Sequence, residues 1–151
     1  MIKIICVGKI KEKYLIDAVK EYSKRISKYN KIEIIEVADD SNDNFGITLE
    51  KEKANILRYL NEKDYLITLE IEGNNLTSVE FADKIDKVLI GYPNITFIIG
   101  GSHGLHSLIK EKSNYSLSFS KLTFPHQLFR VMLLEQIYRA FKILKNESYH
   151  K

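Results

Sequence analysis

The chain has 151 residues, is 44% hydrophobic and 28% charged, and carries one cysteine and a net charge of +3. A chain of this size buries roughly 68–70% of its unfolded surface, which suffices for one domain and excludes a need for disulfides or metal in folding. The balance also excludes a mostly disordered chain. The longest uncharged stretch, Val88 to Ile109, holds Pro93 and four glycines, which excludes a membrane-spanning helix there.

The first element is a continuous apolar run, Ile2 to Val7, which predicts a strand buried on both faces. The segment around it lacks a signal-peptide cleavage pattern, and the lone Cys6 lies inside the run. A cytosolic location and a buried, unreactive thiol are expected. Lys11 to Tyr29 places Tyr14, Leu15, Ala18, Val19, Tyr22, Ile26 and Tyr29 at helical spacing. Ile32 to Val37 reads as a second strand, and Ala38 to Phe45 as a polar loop. Leu49 to Leu60 predicts a helix with Ala54, Ile56, Leu57 and Leu60 on its apolar side. Tyr65 to Ile71 predicts a third strand, closed by a turn at Gly73-Asn74-Asn75. Thr77 or Ser78 can cap the next helix, with Glu80 in its first turn. Ile95 to Ile99 predicts a fourth strand ending in Gly100-Gly101, then a short helix from Leu105 to Lys112. Tyr115 to Phe119 predicts a fifth strand and Ser120 to Pro125 a loop, before a long helix from Leu128 to Leu144. This alternation predicts a single domain over residues 1–151, a parallel α/β sheet with helices on both faces.

The last helix carries apolar residues around nearly its whole circumference, with Glu135, Arg139 and Lys142 on one narrow stripe. A surface helix shows one apolar stripe. The excess predicts cover by a second subunit, a homodimer. Charge is also uneven. Residues 1–30 carry eight basic and three acidic side chains, residues 121–151 six and two, and residues 31–90 seven and fourteen. If the two basic ends converge, they form a surface suited to nucleic acid.

Sheets of this class bind ligands at the carboxyl ends of their strands. Three segments are expected there: Leu69-Glu70-Ile71-Glu72-Gly73, Gly100-Gly101-Ser102-His103-Gly104 and Ser120-Lys121-Leu122-Thr123-Phe124-Pro125. The second matches G-x-S-x-G, the spacing that presents a serine nucleophile in α/β-hydrolases, with Glu135 and His150 following as acid and base. The G-x-G-x-x-G of dinucleotide folds is missing after the first strand. His103 and His106 have an H-x-x-H spacing but no third ligand nearby in sequence, so no metal site is expected. His126 and Arg130 are four residues apart and face one way, as do Glu135 and Arg139. Tyr149-His150-Lys151 forms a tail of the kind that ordinarily frays, yet it offers an aromatic, an imidazole and a cation, which suit stacking on unpaired bases and contact with phosphates.

Taken together, Val7-Gly8-Lys9, Phe97 to Leu105, Leu117 to Gln127, Arg130, Glu135 to Ala140 and Tyr149-His150-Lys151 resemble the RlmH family of pseudouridine N3-methyltransferases acting on bacterial large-subunit ribosomal RNA. The resemblance spans the whole chain. It implies a SPOUT-class α/β fold with a C-terminal trefoil knot, a homodimer, S-adenosyl-L-methionine as methyl donor, and ribosomal RNA within the large subunit or assembled ribosome as partner. By matched position it implies a cofactor pocket of Leu69, Gly100, Phe119, Ser120, Lys121, Leu122, Thr123 and Phe124. His126, Arg139 and His150 are the catalytic candidates. Arg130, Tyr149, His150 and Lys151 are the expected RNA contacts. A Ser102 hydrolase and a non-enzymatic ribosome- or RNA-binding module stand as the alternatives.

Overall fold

The computed structural model describes residues 1–40 and 44–151. Ten elements alternate in the order β1 (Ile2–Val7), α1 (Lys13–Ile26), β2 (Ile32–Val37), α2 (Phe45–Leu57), β3 (Tyr65–Asn75), α3 (Ser78–Gly91), β4 (Ile95–Ile99), α4 (Ser107–Lys112), β5 (Tyr115–Ser118) and α5 (His126–Leu144). The strands form one five-stranded sheet in the order β2-β1-β4-β3-β5, parallel at every pairing. Its buried strands explain the apolar runs. Ile4, Cys6, Phe97 and Ile99 face a core shared with α1, α3 and α5. Ile5, Val7, Val37 and Ile98 face a smaller core shared with α2 and α4. Burial pushes the Cys6 thiol up to about 12. No helix among the described residues is long and apolar enough to cross a membrane.

Several boundaries differ from those expected. The expected turn at Gly73-Asn74-Asn75 belongs to β3. Leu69 and Asn74 both oppose Leu117, so residues 70–73 loop out and the strand resumes. Turn-forming residues serve this loop-out: a Cβ on Gly73 would lie 2.8 Å from the Leu117 carbonyl carbon. Helix α2 begins at Phe45 rather than Leu49, because the Asn44 side chain accepts from the Ile47 N–H at 3.2 Å and caps it. It ends at Leu57, three residues before the expected Leu60. Helix α1 is likewise shorter than the Lys11–Tyr29 pattern. The centre of the expected polar loop, residues 41–43, lies outside the described residues.

The apolar girth of α5 is largely spent inside the chain. The helix lies against both α1 and α3 on one face of the sheet, burying Leu133, Leu134, Ile137, Tyr138, Ala140 and Phe141. Leu128, near its start, remains 42% exposed. Packing of α1 against α5 also brings the two basic ends together, as their charge pattern required for a common surface. Arg25 stands over the rings of Tyr22 and Tyr138 at 5.4 and 5.5 Å, and Lys142 over Tyr29 and Tyr138 at 5.8 and 5.7 Å.

Candidate active site

A cavity of about 430 Å³ opens where β3, β4 and β5 end. Leu69 and residues 70–72 of the β3 loop-out form one wall. The turn after β4, with Gly100, Gly101, Ser102, Gly104 and Leu105, forms another. The segment after β5, with Phe119, Ser120, Leu122, Thr123 and Phe124, forms the third, and Lys110 of α4 with His126 and Phe129 of α5 completes the lining. Residues distant in sequence meet here because all three strands are parallel and so end on the same edge.

The turn after β4 is tight. Gly101 and Gly104 form an isolated antiparallel bridge, Gly104 N–H donates to Gly101 O at 3.1 Å, and Gly104 has φ +75°. A Cβ on Gly100 would sit 2.5 Å from the Gly104 carbonyl oxygen. Gly100 is thus required by the turn itself. Helix α2 supports the same turn from behind: Glu50 meets His106 Nε2 at 2.8 Å and the Phe45 ring meets His103 edge-on at 4.7 Å. His106 Nδ1 accepts from the Leu108 N–H at 3.0 Å, capping α4. With both ring nitrogens engaged, His106 is a structural residue, and no group of three potential metal ligands stands together among the described residues.

The apolar wall is built from rings. Phe119 meets Phe129 edge-on at 4.8 Å and Phe124 stacks on Phe129 at 5.9 Å. Polar groups are spaced between them. Ser118 Oγ donates to the Ile71 carbonyl at 2.8 Å, and Ser120 Oγ accepts from the Leu122 N–H at 3.0 Å, which holds the segment after β5 in place. Seven of the eight expected cofactor residues line the cavity. Lys121 does not. It lies exposed between two lining neighbours. Glu70, Lys110 and Phe129 line it without having been expected there, although Glu70 lies within a segment placed at the strand ends.

The expected catalytic trio is split. His126 lines the cavity, whereas Arg139 and His150 do not. Arg139 lies thirteen positions along the continuous helix from His126, a span of ~20 Å. His150 goes with Arg139, their side chains meeting at 3.1 Å. Within one chain these groups cannot act on one atom.

The tail does not fray. Asn146, at φ +54°, takes the left-handed conformation, and Glu147 N–H donates to the Lys142 carbonyl at 3.0 Å, so the chain doubles back along α5. Glu147 then meets Lys142 Nζ at 2.7 Å and accepts from Tyr29 OH at 2.8 Å. These donors hold the Glu147 carboxyl below its ordinary range. Tyr149 OH donates to Glu135 at 3.1 Å, its ring meets Tyr138 edge-on at 4.9 Å, and Arg139 lies over it at 4.8 Å. Burial, then the bond to Glu135, pushes the Tyr149 phenol up to about 12. Arg139 is held by Glu135 at 2.6 Å, which raises its pKa further. Tyr149 and His150 therefore pack on the far half of α5, with His150 and Lys151 exposed.

Arg130, expected to touch RNA, is only 1% exposed. Its guanidinium donates to Glu36 at 2.7 Å and to the Gly8 carbonyl at 3.0 Å, while Glu36 also accepts from the Ile10 N–H at 2.9 Å. It ties the β1–α1 loop to α5. Helical spacing put Arg130 beside His126, but its partners lie 94 and 122 residues away in sequence, which no local pattern reveals. The Ser102 hydrolase arrangement is not assembled. Glu135 is occupied by Arg139 and Tyr149, His150 by Arg139, and among the described residues no hydrogen bond joins Ser102 to a histidine.

The sequence matches the family model described as a predicted SPOUT methyltransferase over residues 1–150. It is 54% identical to the ribosomal RNA large subunit methyltransferase H of Clostridium botulinum (Hall strain) and 52% identical to that of Clostridium beijerinckii, with 99% of each chain covered. A relative from Methanococcus maripaludis, provisionally given the same name, is 57% identical at the same coverage. In architecture the chain resembles a probable methylase family protein from Haemophilus influenzae, with a TM-score of 0.57 at 14% identity, covering 99% of this chain and 70% of that one.

Proposed function

The chain belongs to the SPOUT methyltransferases, within the ribosomal RNA large subunit methyltransferase H (RlmH) family, and on that premise we propose that it transfers a methyl group from S-adenosyl-L-methionine to N3 of a pseudouridine in large-subunit ribosomal RNA. The observation that carries this reading is the convergence of Leu69, Gly100 and the segment after β5 on one cavity at the strand ends. Its volume lies within the range of sites for nucleoside-sized ligands. Its chemistry fits an adenosyl group. Leu69, Leu117, Phe119 and Phe124 offer apolar surface to a purine, and the glycine turn brings backbone groups close. In keeping with the family, the C-terminal part of the chain would form a trefoil knot, whose loops would hold the backbone partners rigidly.

When bound, S-adenosyl-L-methionine supplies an electrophilic methyl group. The residues of this chain position it and prepare the acceptor. A neutral imide nitrogen is a weak nucleophile and must shed its proton. His126, on the cavity wall, is the candidate within one chain to accept it. Arg139 and Lys151 offer the cations that stabilise a developing imide anion and meet phosphates, His150 offers an imidazole, and Tyr149 a stacking surface. Because these groups lie ~20 Å along α5 from His126, the complete site is composite. In a two-fold homodimer, pairing α5 helices in opposite directions carries the tail of one subunit to the cavity of the other. Lys121, exposed at the rim, belongs with the RNA phosphates rather than the cofactor. Arg130 acts through the β1–α1 loop it holds.

Calorimetric titration with S-adenosyl-L-methionine tests this reading. Stoichiometric binding is expected from the methyltransferase alone. A hydrolase or a non-enzymatic RNA-binding module requires none. Folded protein that fails to bind would overturn the proposal.

A further inference from the structure

The cavity contains a carboxylate that the proposed reaction does not use. Glu70 sits at the start of the β3 loop-out and lines the cavity. Its Oε2 accepts from Thr68 Oγ1 at 2.7 Å and from Ser116 Oγ. Two hydroxyls on adjacent strands thus fix the plane of the carboxylate. Among the described residues its Oε1 has no donor at hydrogen-bond length, the Lys110 ammonium standing 3.7 Å away. The side chain is 16% exposed and lines the cavity. An acceptor at the cavity with no protein donor at hydrogen-bond length is free to take a donor from a ligand.

The geometry points to Glu70 Oε1 as the acceptor for the ribose hydroxyls of the adenosyl ligand, making Glu70 the residue that selects a ribonucleoside. The assignment rests on the cofactor reading of the cavity. Three donor types exist on such a ligand: the ribose hydroxyls, the adenine amine and the amino-acid ammonium. The ammonium is disfavoured because Lys110 already places a positive charge beside Oε1. A neutral hydroxyl meets no such repulsion. Placement after a parallel strand's carboxyl end is also where acidic residues take ribose hydroxyls in dinucleotide folds.

The test is calorimetry on wild type, Glu70→Ala and Glu70→Gln with 5′-methylthioadenosine and its 2′,3′-dideoxy counterpart. Neither probe carries an ammonium group. Wild type should prefer the ribose form by ~10-fold or more, the scale of a hydrogen bond to a charged group. Glu70→Ala should abolish that preference while leaving the dideoxy affinity within about twofold. Glu70→Gln, which keeps the side-chain shape, should show an intermediate preference and unfold at nearly the wild-type temperature. Equal loss on both compounds would mean that Glu70 only supports the loop-out, and an unchanged preference would place the hydroxyls elsewhere. Either result overturns the assignment alone. Wild type that binds neither compound would overturn the cofactor reading, and the assignment with it.

Discussion

Truncation after Ser148 separates the anchoring of the tail from its work. The variant loses the Tyr149–Glu135 hydrogen bond of 3.1 Å, the edge contact with Tyr138 at 4.9 Å and the Arg139 cation over the ring at 4.8 Å. An aromatic pair contributes ~0.5–1.5 kcal/mol and a cation over a half-exposed ring ~0.5–1 kcal/mol. The hydrogen bond adds about 1 kcal/mol, taken low because water reaches it. Freed backbone entropy of roughly 1 kcal/mol per residue offsets much of the sum. Arg139 keeps Glu135 at 2.6 Å. With three residues removed, the entropic offset is roughly 3 kcal/mol, so the net change lies within about 1 kcal/mol of zero, or a Tm within about 4 °C of wild type for a domain of this length. His150→Ala spares the aromatic anchor and should melt within about 1 °C of wild type. In single-turnover transfer to unmodified ribosomes, both variants should lose activity, the truncation by ~10²–10⁴ if a positioned acid–base group is removed. Cofactor affinity should hold within twofold in both. Wild-type turnover by the truncated, folded enzyme would refute the placement of the tail in the site, and so would a loss of stability without a loss of rate.

The remaining expectations concern the interior. Gly100→Ala forces a Cβ to within 2.5 Å of the Gly104 carbonyl. It should displace the turn at ~1–3 kcal/mol and lower cofactor affinity by at least ~10-fold, read by calorimetry; unchanged affinity would remove this turn from the site. Arg130→Met breaks a pair whose arginine is 1% exposed but whose glutamate is 36% exposed. Denaturant unfolding should show a loss of about 2–3 kcal/mol, below the ~3–5 kcal/mol of a fully buried pair. Cys6, its thiol raised to about 12 by burial, should resist iodoacetamide at pH 8 until the protein unfolds. Its folded pKa lies above the unfolded value, so its contribution to stability is complete below about pH 9 and declines as pH rises toward 12. Denaturation midpoints at pH 8 and 10 read that decline, and native-state alkylation at the unfolded rate would contradict it.

What the sequence made legible is what depends on short-range pattern. The apolar run of β1 has no polar position because both faces are covered, and strand–helix alternation leaves few alternatives to a parallel sheet. The parallel order then put the glycine turn and the segment after β5 on one edge, so most of the cavity followed. What stayed hidden depends on long-range partners. Gly73-Asn74-Asn75 looks like a turn, and only β5 beside it turns the same residues into a loop-out. Lys121 and Leu122 are neighbours in one loop and both are exposed, yet of the two Leu122 lines the cavity and Lys121 does not. The all-round apolarity of α5 reads the same whether α1, α3 or another subunit covers it. Asn146 was a local signal for the folded-back tail, since asparagine tolerates the left-handed conformation that reverses a helix end.

The most direct measurement of the central claim is transfer of labelled methyl from S-adenosyl-L-methionine to large ribosomal subunits lacking the modification, with the product nucleotide mapped. The account predicts one labelled pseudouridine, substituted at N3, formed by wild type and restored when a cavity-blocked variant is mixed with the tail-truncated one so that their subunits exchange. Label on another nucleotide or no label at all would contradict the proposed reaction, and failure of the mixed variants to complement would contradict the composite site.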